Sequence, residues 1–148
     1  MQKTRVYLPF SFILLYLFPL MASAFTFEIL GQKGKPMYPL QEQILLPGDS
    51  VGSASLRVMN EAKAKGQLQF IGYESGIVSI NELGNDVEVI SDTRMKAHGW
   101  CFSLNGKTPE LMPDKTPMTS PSDRLVWFYA YALYDQGQWI TQCTPDSE

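Results

Sequence analysis

Apolar and polar positions alternate with a period of two along most of this chain and with a helical period along one stretch of it. Phe25, Phe27 and Ile29 alternate with Thr26 and Glu28, the pattern of a half-buried strand. Gly31 to Pro39, rich in glycine, lysine and proline, ends that strand. Gln41 to Leu46 gives a second short apolar run, broken by Pro47-Gly48, and the two runs are expected to pair as a hairpin. From Ser50 to Lys65 the residues Val51, Ala54, Val58, Met59 and Ala62 recur at helical spacing, while Arg57/Glu61 and Glu61/Lys65 make four-apart charge pairs on the other side. This predicts an amphipathic helix capped by Asp49 or Ser50, ended by a left-handed Gly66, with Val58 and Met59 turned toward a sheet.

Phe70 to Glu74, Ile77 to Ile80 and Val87 to Ile90 read as short strands, parted by Ser75-Gly76 and Gly84-Asn85-Asp86. A strand from Gly99 sets Trp100, Phe102 and Leu104 on one face and Cys101 and Ser103 on the other, and Asn105-Gly106 suits a turn with positive φ. Lys107 to Ser122, with Pro109, Pro113, Pro117 and Pro121, reads as a stiff surface loop protecting a sheet edge, and Asp123 as a residue that fixes a turn. Arg124 to Tyr134 carries Leu125, Trp127, Tyr129, Tyr131 and Leu133 on one face and Val126, Phe128, Ala130, Ala132 and Tyr134 on the other. Apolar residues on both faces predict a central strand. The helix covers one face; the other lies under Gly137 to Cys143 or is a binding surface. Two neighbours on a central strand leave no hairpin slot, so that last segment is expected to cross the face.

Composition narrows the setting. Residues 1–24 have the parts of a removable secretory signal: Lys3 and Arg5, the apolar run Val6 to Met21, and Ala22-Ser23-Ala24. Pro9 and Pro19 interrupt the run, which is shorter than the roughly 20 residues a membrane helix needs. No stable membrane anchor is expected after cleavage, and residues 25–148 read as a single domain, secreted or periplasmic. Loss of Lys3 and Arg5 moves the formal charge from -3 to about -5. Without clustered basic residues, nucleic acid is excluded as a partner. Cys101 and Cys143 are expected to form a disulfide in an oxidising compartment, with two buried thiols as the alternative. One histidine and no paired C-x-x-C argue against a metal site.

The order strand, hairpin, helix, further strands, then Gly99-Trp100-x-Phe102-x-x-Asn105-Gly106 and Asp123-x-x-x-Trp127 resembles the C-terminal β-domain of transcobalamin and intrinsic factor and the related bacterial secreted domains of unknown function. The resemblance runs from about Phe25 to Ala130. It includes Val51-Gly52-Ser53 to Ala62 and Gly76-Ile77-Val78-Ser79-Ile80, and departs at Ser122, where the family has glycine. It implies an α+β, ubiquitin-like β-grasp fold with one amphipathic helix packed on a mixed sheet, and residues 130–148 as an extension atypical of the family. In those vitamin carriers the domain clamps cobalamin against a large helical barrel, which is not expected here.

No hydrolase elbow, phosphate-binding loop or zinc-protease helix is present. His98 and Cys101 stand three residues apart on an extended strand, on opposite sides and about 10 Å apart. Asp86 and Glu88 read as a solvated edge rather than an acid–base pair. The chain is therefore expected to be non-enzymatic and to need no cofactor for chemistry. It is expected to be a binding module for a small flat ligand such as a corrinoid or tetrapyrrole, with Trp100, Phe102, Trp127, Tyr129, Tyr131 and Trp139 as candidate contacts. The alternative is a protein-interaction or structural module of the cell envelope, using an aromatic sheet face or a free edge.

Overall fold

The computed structural model describes residues 23–146, so most of the segment read as a signal lies outside the described residues. β1 (Ala24–Leu30) and β2 (Pro36–Ile44) form the expected antiparallel hairpin, and burial alternates strictly along β1 with Phe25, Phe27 and Ile29 inside. β2 begins at Pro36, within the stretch read as a break. It is the outermost strand of its sheet, where a missing proline N–H need not cost a ladder bond. Pro39 falls in a bulge, because Phe27 pairs with Gln41 while Ile29 pairs with Tyr38.

The helix α1 (Val51–Ala64) starts at Ser50, whose hydroxyl accepts from the Ser53 amide while the Ser53 hydroxyl accepts from the Ser50 amide. Asp49, the other capping candidate, instead accepts from the Leu46 amide and pairs with Arg57. Gly66 takes the left-handed conformation expected of it, with φ 70°. Val51, Ala54, Val58, Met59 and Ala62 are all buried. β3 (Phe70–Tyr73), β4 (Gly76–Ile80) and β5 (Leu83–Gly84) form a small antiparallel sheet beside the helix. Close approach requires glycine at position 52: a Cβ there would stand 2.1 Å from the Glu74 carbonyl oxygen.

β6 (Asp86–Ser91), β7 (Arg94–Leu104), β8 (Arg124–Asp135) and β9 (Gln138–Pro145) complete the main sheet, ordered β2-β1-β8-β7-β6. β1 runs parallel to β8 and the other pairs are antiparallel, so the sheet is mixed and the architecture is α+β with one helix on strands. β7 begins at Arg94 rather than Gly99, which places His98 inside a strand. β9 does not cross the face. β1 meets β8 only from Arg124 to Phe128, leaving that edge open beyond it, and β9 folds back to pair with Ala130 to Asp135.

The proline-rich loop also lies elsewhere than expected. It packs on the start of α1, where Val51 N–H donates to the Thr116 carbonyl and Met118 N–H to the Asp49 carbonyl, with Met118 buried. Asn105 and Gly106 make the positive-φ turn. Asp123 secures it by accepting from the Asn105 side-chain amide and, through its other oxygen, from the amides of Thr119 and Ser120.

Candidate ligand-binding face

The continuous register between β7 and β8 sorts every candidate residue onto one of two faces. Trp100 stands opposite Tyr129 and Phe102 opposite Trp127, all on the face beneath α1. Trp127 is 1% exposed and its indole N–H donates to the Ser55 hydroxyl at 2.7 Å. Phe102, at 7%, packs against it with ring centroids 5.4 Å apart. Trp100 is half-buried and donates to the Leu83 carbonyl, and Tyr129, 3% exposed, donates to the Gly84 carbonyl, both at 2.8 Å. These four side chains are engaged in the fold itself. Burial, then the charges of Asp86 and Asp146, raises the Tyr129 phenol above its ordinary pKa.

Tyr131 continues the same face along β8. It lies beside the His98 ring at 5.9 Å and beneath the Lys96 ammonium, 4.7 Å from its centroid. His98 Nε2 is 3.7 Å from a Glu88 carboxylate oxygen. Trp139 is on the other face, half exposed, edge-on to its cross-strand partner Tyr134 at 5.2 Å. The six expected contacts therefore do not form one patch.

What gathers on the face away from the helix is small. Gly99 stands opposite Ala130, and Ala97 opposite Ala132. These four residues pave a shallow floor between bulkier neighbours, Cys101 with Phe128 at one end and Met95 with Tyr134 at the other. The Cys101–Cys143 disulfide joins β7 to β9, with Cα atoms 5.7 Å apart. Two strands on either side of a third normally stand about 9.5 Å apart. Cys143 lies in a bulge, in which Gln142 and Cys143 together face the gap between Tyr131 and Leu133, and adopts φ 52°. This strap leaves Ala130 only 1% exposed although it faces away from the helix.

Beside the strap the floor opens into a cavity of about 340 Å³ whose walls include Trp139, Gln142 and Asn85. Its lining contains no Asp, Glu, Lys or Arg, and one histidine, His98. Val87 and Val89 extend the same sheet face on β6, opposite Ala97 and Met95, and Val89 is 74% exposed.

Sequence reasoning placed Ala130 and Ala132 on this face but did not single them out, and it missed Ala97, Asn85 and Gln142. The available signal was the alternation of small residues at 97 and 99 and again at 130 and 132 within strands otherwise rich in aromatics. Cys101 has no free thiol, and it faces away from His98 across the strand. Asp86 and Glu88 are both exposed on the outer strand β6. Among the described residues no group of three or more His, Cys, Asp or Glu converges as metal ligands, and no helix is long and apolar enough to cross a membrane.

No family model matches this chain, and no curated protein matches it. Among solved structures, one described as a "putative metal binding protein" from Ruminococcus gnavus is similar over 72% of this chain and 95% of its own, with 14% identity and a TM-score of 0.42.

Proposed function

We propose that this chain is an exported, non-enzymatic binding module of the β-grasp type that holds a small, flat, partly apolar ligand on the sheet face turned away from α1. The observation that carries the reading is the cavity walled by Trp139 over a floor of small residues, with no Asp, Glu, Lys or Arg in its lining. Concave, mostly apolar sites with a few polar groups are where small ligands bind. The hairpin, the helix and the central strand parallel to β1 support the β-grasp assignment. The disulfide supports an oxidising destination. The resemblance to the cobalamin carriers makes corrinoids and tetrapyrroles the first ligands to try. A cavity of about 340 Å³ accepts one edge of such a macrocycle and leaves the rest against Val87 and Val89.

The test is titration of the oxidised mature chain with cobalamin and a tetrapyrrole panel, following ligand absorbance and tryptophan fluorescence together. Saturable quenching that disappears in Trp139→Phe supports the reading; quenching unchanged by that substitution places the ligand elsewhere and defeats it. A protein partner is the second reading, favoured by β6. That strand is a sheet edge with every residue exposed and no proline, whereas the opposite edge, β2, carries Pro36 and Pro39. Capture of an extended peptide, lost in Val89→Pro, is its signature.

A further inference from the structure

We infer that the cavity beside the disulfide is a slot for an uncharged bicyclic heterocycle bearing a lactam-like edge, that is, an adjacent N–H donor and C=O acceptor. The inference rests on the reading of this face as a ligand site and assigns the ligand's chemical class.

Three observations define that class. The first is size, since about 340 Å³ stands at the bottom of the roughly 300–1,000 Å³ span of small-molecule sites. The second is shape. Gly99, Ala130, Ala97 and Ala132 form two consecutive register pairs without any side chain beyond a methyl, so a planar ring can lie directly on the strands. Trp139 supplies an aromatic wall at the side. The floor is specific to this site, because the adjoining pairs carry Phe128 and Tyr134.

The third is polarity. Four lining residues offer both donor and acceptor: the rings of His98 and Tyr131 stand on the helix-side face of the sheet, which leaves the amides of Asn85 and Gln142. Asn85 lies over Gly99, its amide oxygen 3.0 Å from where a Cβ would stand, and Gln142 occupies the bulge next to Cys143. An amide offers a donor and an acceptor side by side, the complement of a lactam edge. With no Asp, Glu, Lys or Arg in the lining and the His98 ring on the opposite sheet face, an ionised ligand would give up hydration without gaining a counter-ion.

The experiment is a calorimetric titration of the oxidised chain with three bicyclic probes of one size: carbostyril, a neutral lactam; quinoline, an acceptor alone; and quinaldate, a carboxylate. Carbostyril is expected to bind at least tenfold more tightly than quinaldate, with quinoline between them. Asn85→Leu and Gln142→Leu should each weaken carbostyril by about tenfold and leave quinoline nearly unchanged, as expected for loss of one hydrogen bond. Ala132→Leu fills the floor from a partly exposed position and should abolish binding, with retained helical circular dichroism showing that the fold persists.

Equal affinity for quinaldate, or undiminished carbostyril binding by Ala132→Leu, overturns the slot. If tetrapyrroles bind the chain and its Ala132→Leu variant alike while carbostyril does not bind, the slot fails and the broader reading of the face survives. If no probe and no tetrapyrrole binds, both fail.

Discussion

The two halves of β8 carry similar side chains and meet opposite fates. From Leu125 to Phe128 the strand runs beside β1, and Leu125, Trp127 and, one residue beyond the pairing, Tyr129 are all buried. From Tyr131 to Asp135 it runs beside β9, and none of its side chains is fully buried. Aromatic content does not separate the halves; the neighbours do. β1 ends at Leu30, opposite Phe128, and the buried face of α1 belongs to the same half. Beyond that point a strand with a core composition has no core to enter, which leaves surface for recognition.

Truncating one tryptophan in each half sharpens the contrast most. Trp127→Ala removes a fully buried indole and orphans its bond to Ser55, so a loss of about 3 to 5 kcal/mol is expected in urea unfolding. Trp139→Ala, half exposed at the sheet surface, should cost less than about 1 kcal/mol. Equal losses would show that the second half is as much a part of the core as the first.

Reduction of the disulfide comes next. Every side chain from Gln138 to Gln142 is exposed, so β9 is held by its ladder to β8 and by Cys143. In the chain-entropy model a cross-link over 42 residues stabilises by about 4 kcal/mol. The informative readout is where the loss is felt. Hydrogen exchange of the β9 amides should accelerate first on reduction, while those of α1 stay protected until global unfolding. Simultaneous loss of protection in both would break the division into halves. A smaller change on the covered side is Ser50→Ala, which removes the helix cap. It should cost about 1 kcal/mol and leave β9 exchange as it was.

Local chemistry was legible in the sequence, and long-range register was not. The alternation of Phe25, Phe27 and Ile29 and the spacing of Val51, Val58 and Met59 each name an element because the period is contained within it. Gly66 and Asn105-Gly106 were readable because their dihedral demands are their own. The start of β2 at Pro36 was hidden because a proline is tolerated only if its strand proves to be an edge. The slot for β9 depended on where β1 stops against β8, a pairing across almost the whole chain. The proline-rich loop reaches the helix start through backbone bonds at Asp49, Val51, Thr116 and Met118, which no side-chain pattern announces. The cavity floor was half visible: its small residues stand out on each strand, but only the register brings Gly99 opposite Ala130 and Ala97 opposite Ala132.

Tyr129 stands where the two halves meet and gives the finest test of the boundary. Its ring is buried with the first half, while its hydroxyl donates to Gly84 and feels the charges of Asp86 and Asp146. Burial and those charges raise its folded pKa above the ordinary value of 10.0. The unfolded chain therefore releases this proton first as pH rises. The phenol's stabilisation is complete below about pH 10 and is lost as pH climbs through the folded pKa. Tyr129→Phe should cost about 1 kcal/mol near neutrality for the missing hydrogen bond, and its stability should fall less steeply than that of the parent in alkaline denaturation. Parallel falls for the two proteins would mean that the phenol is solvated like an ordinary tyrosine, and would move the edge of the covered half back to Trp127.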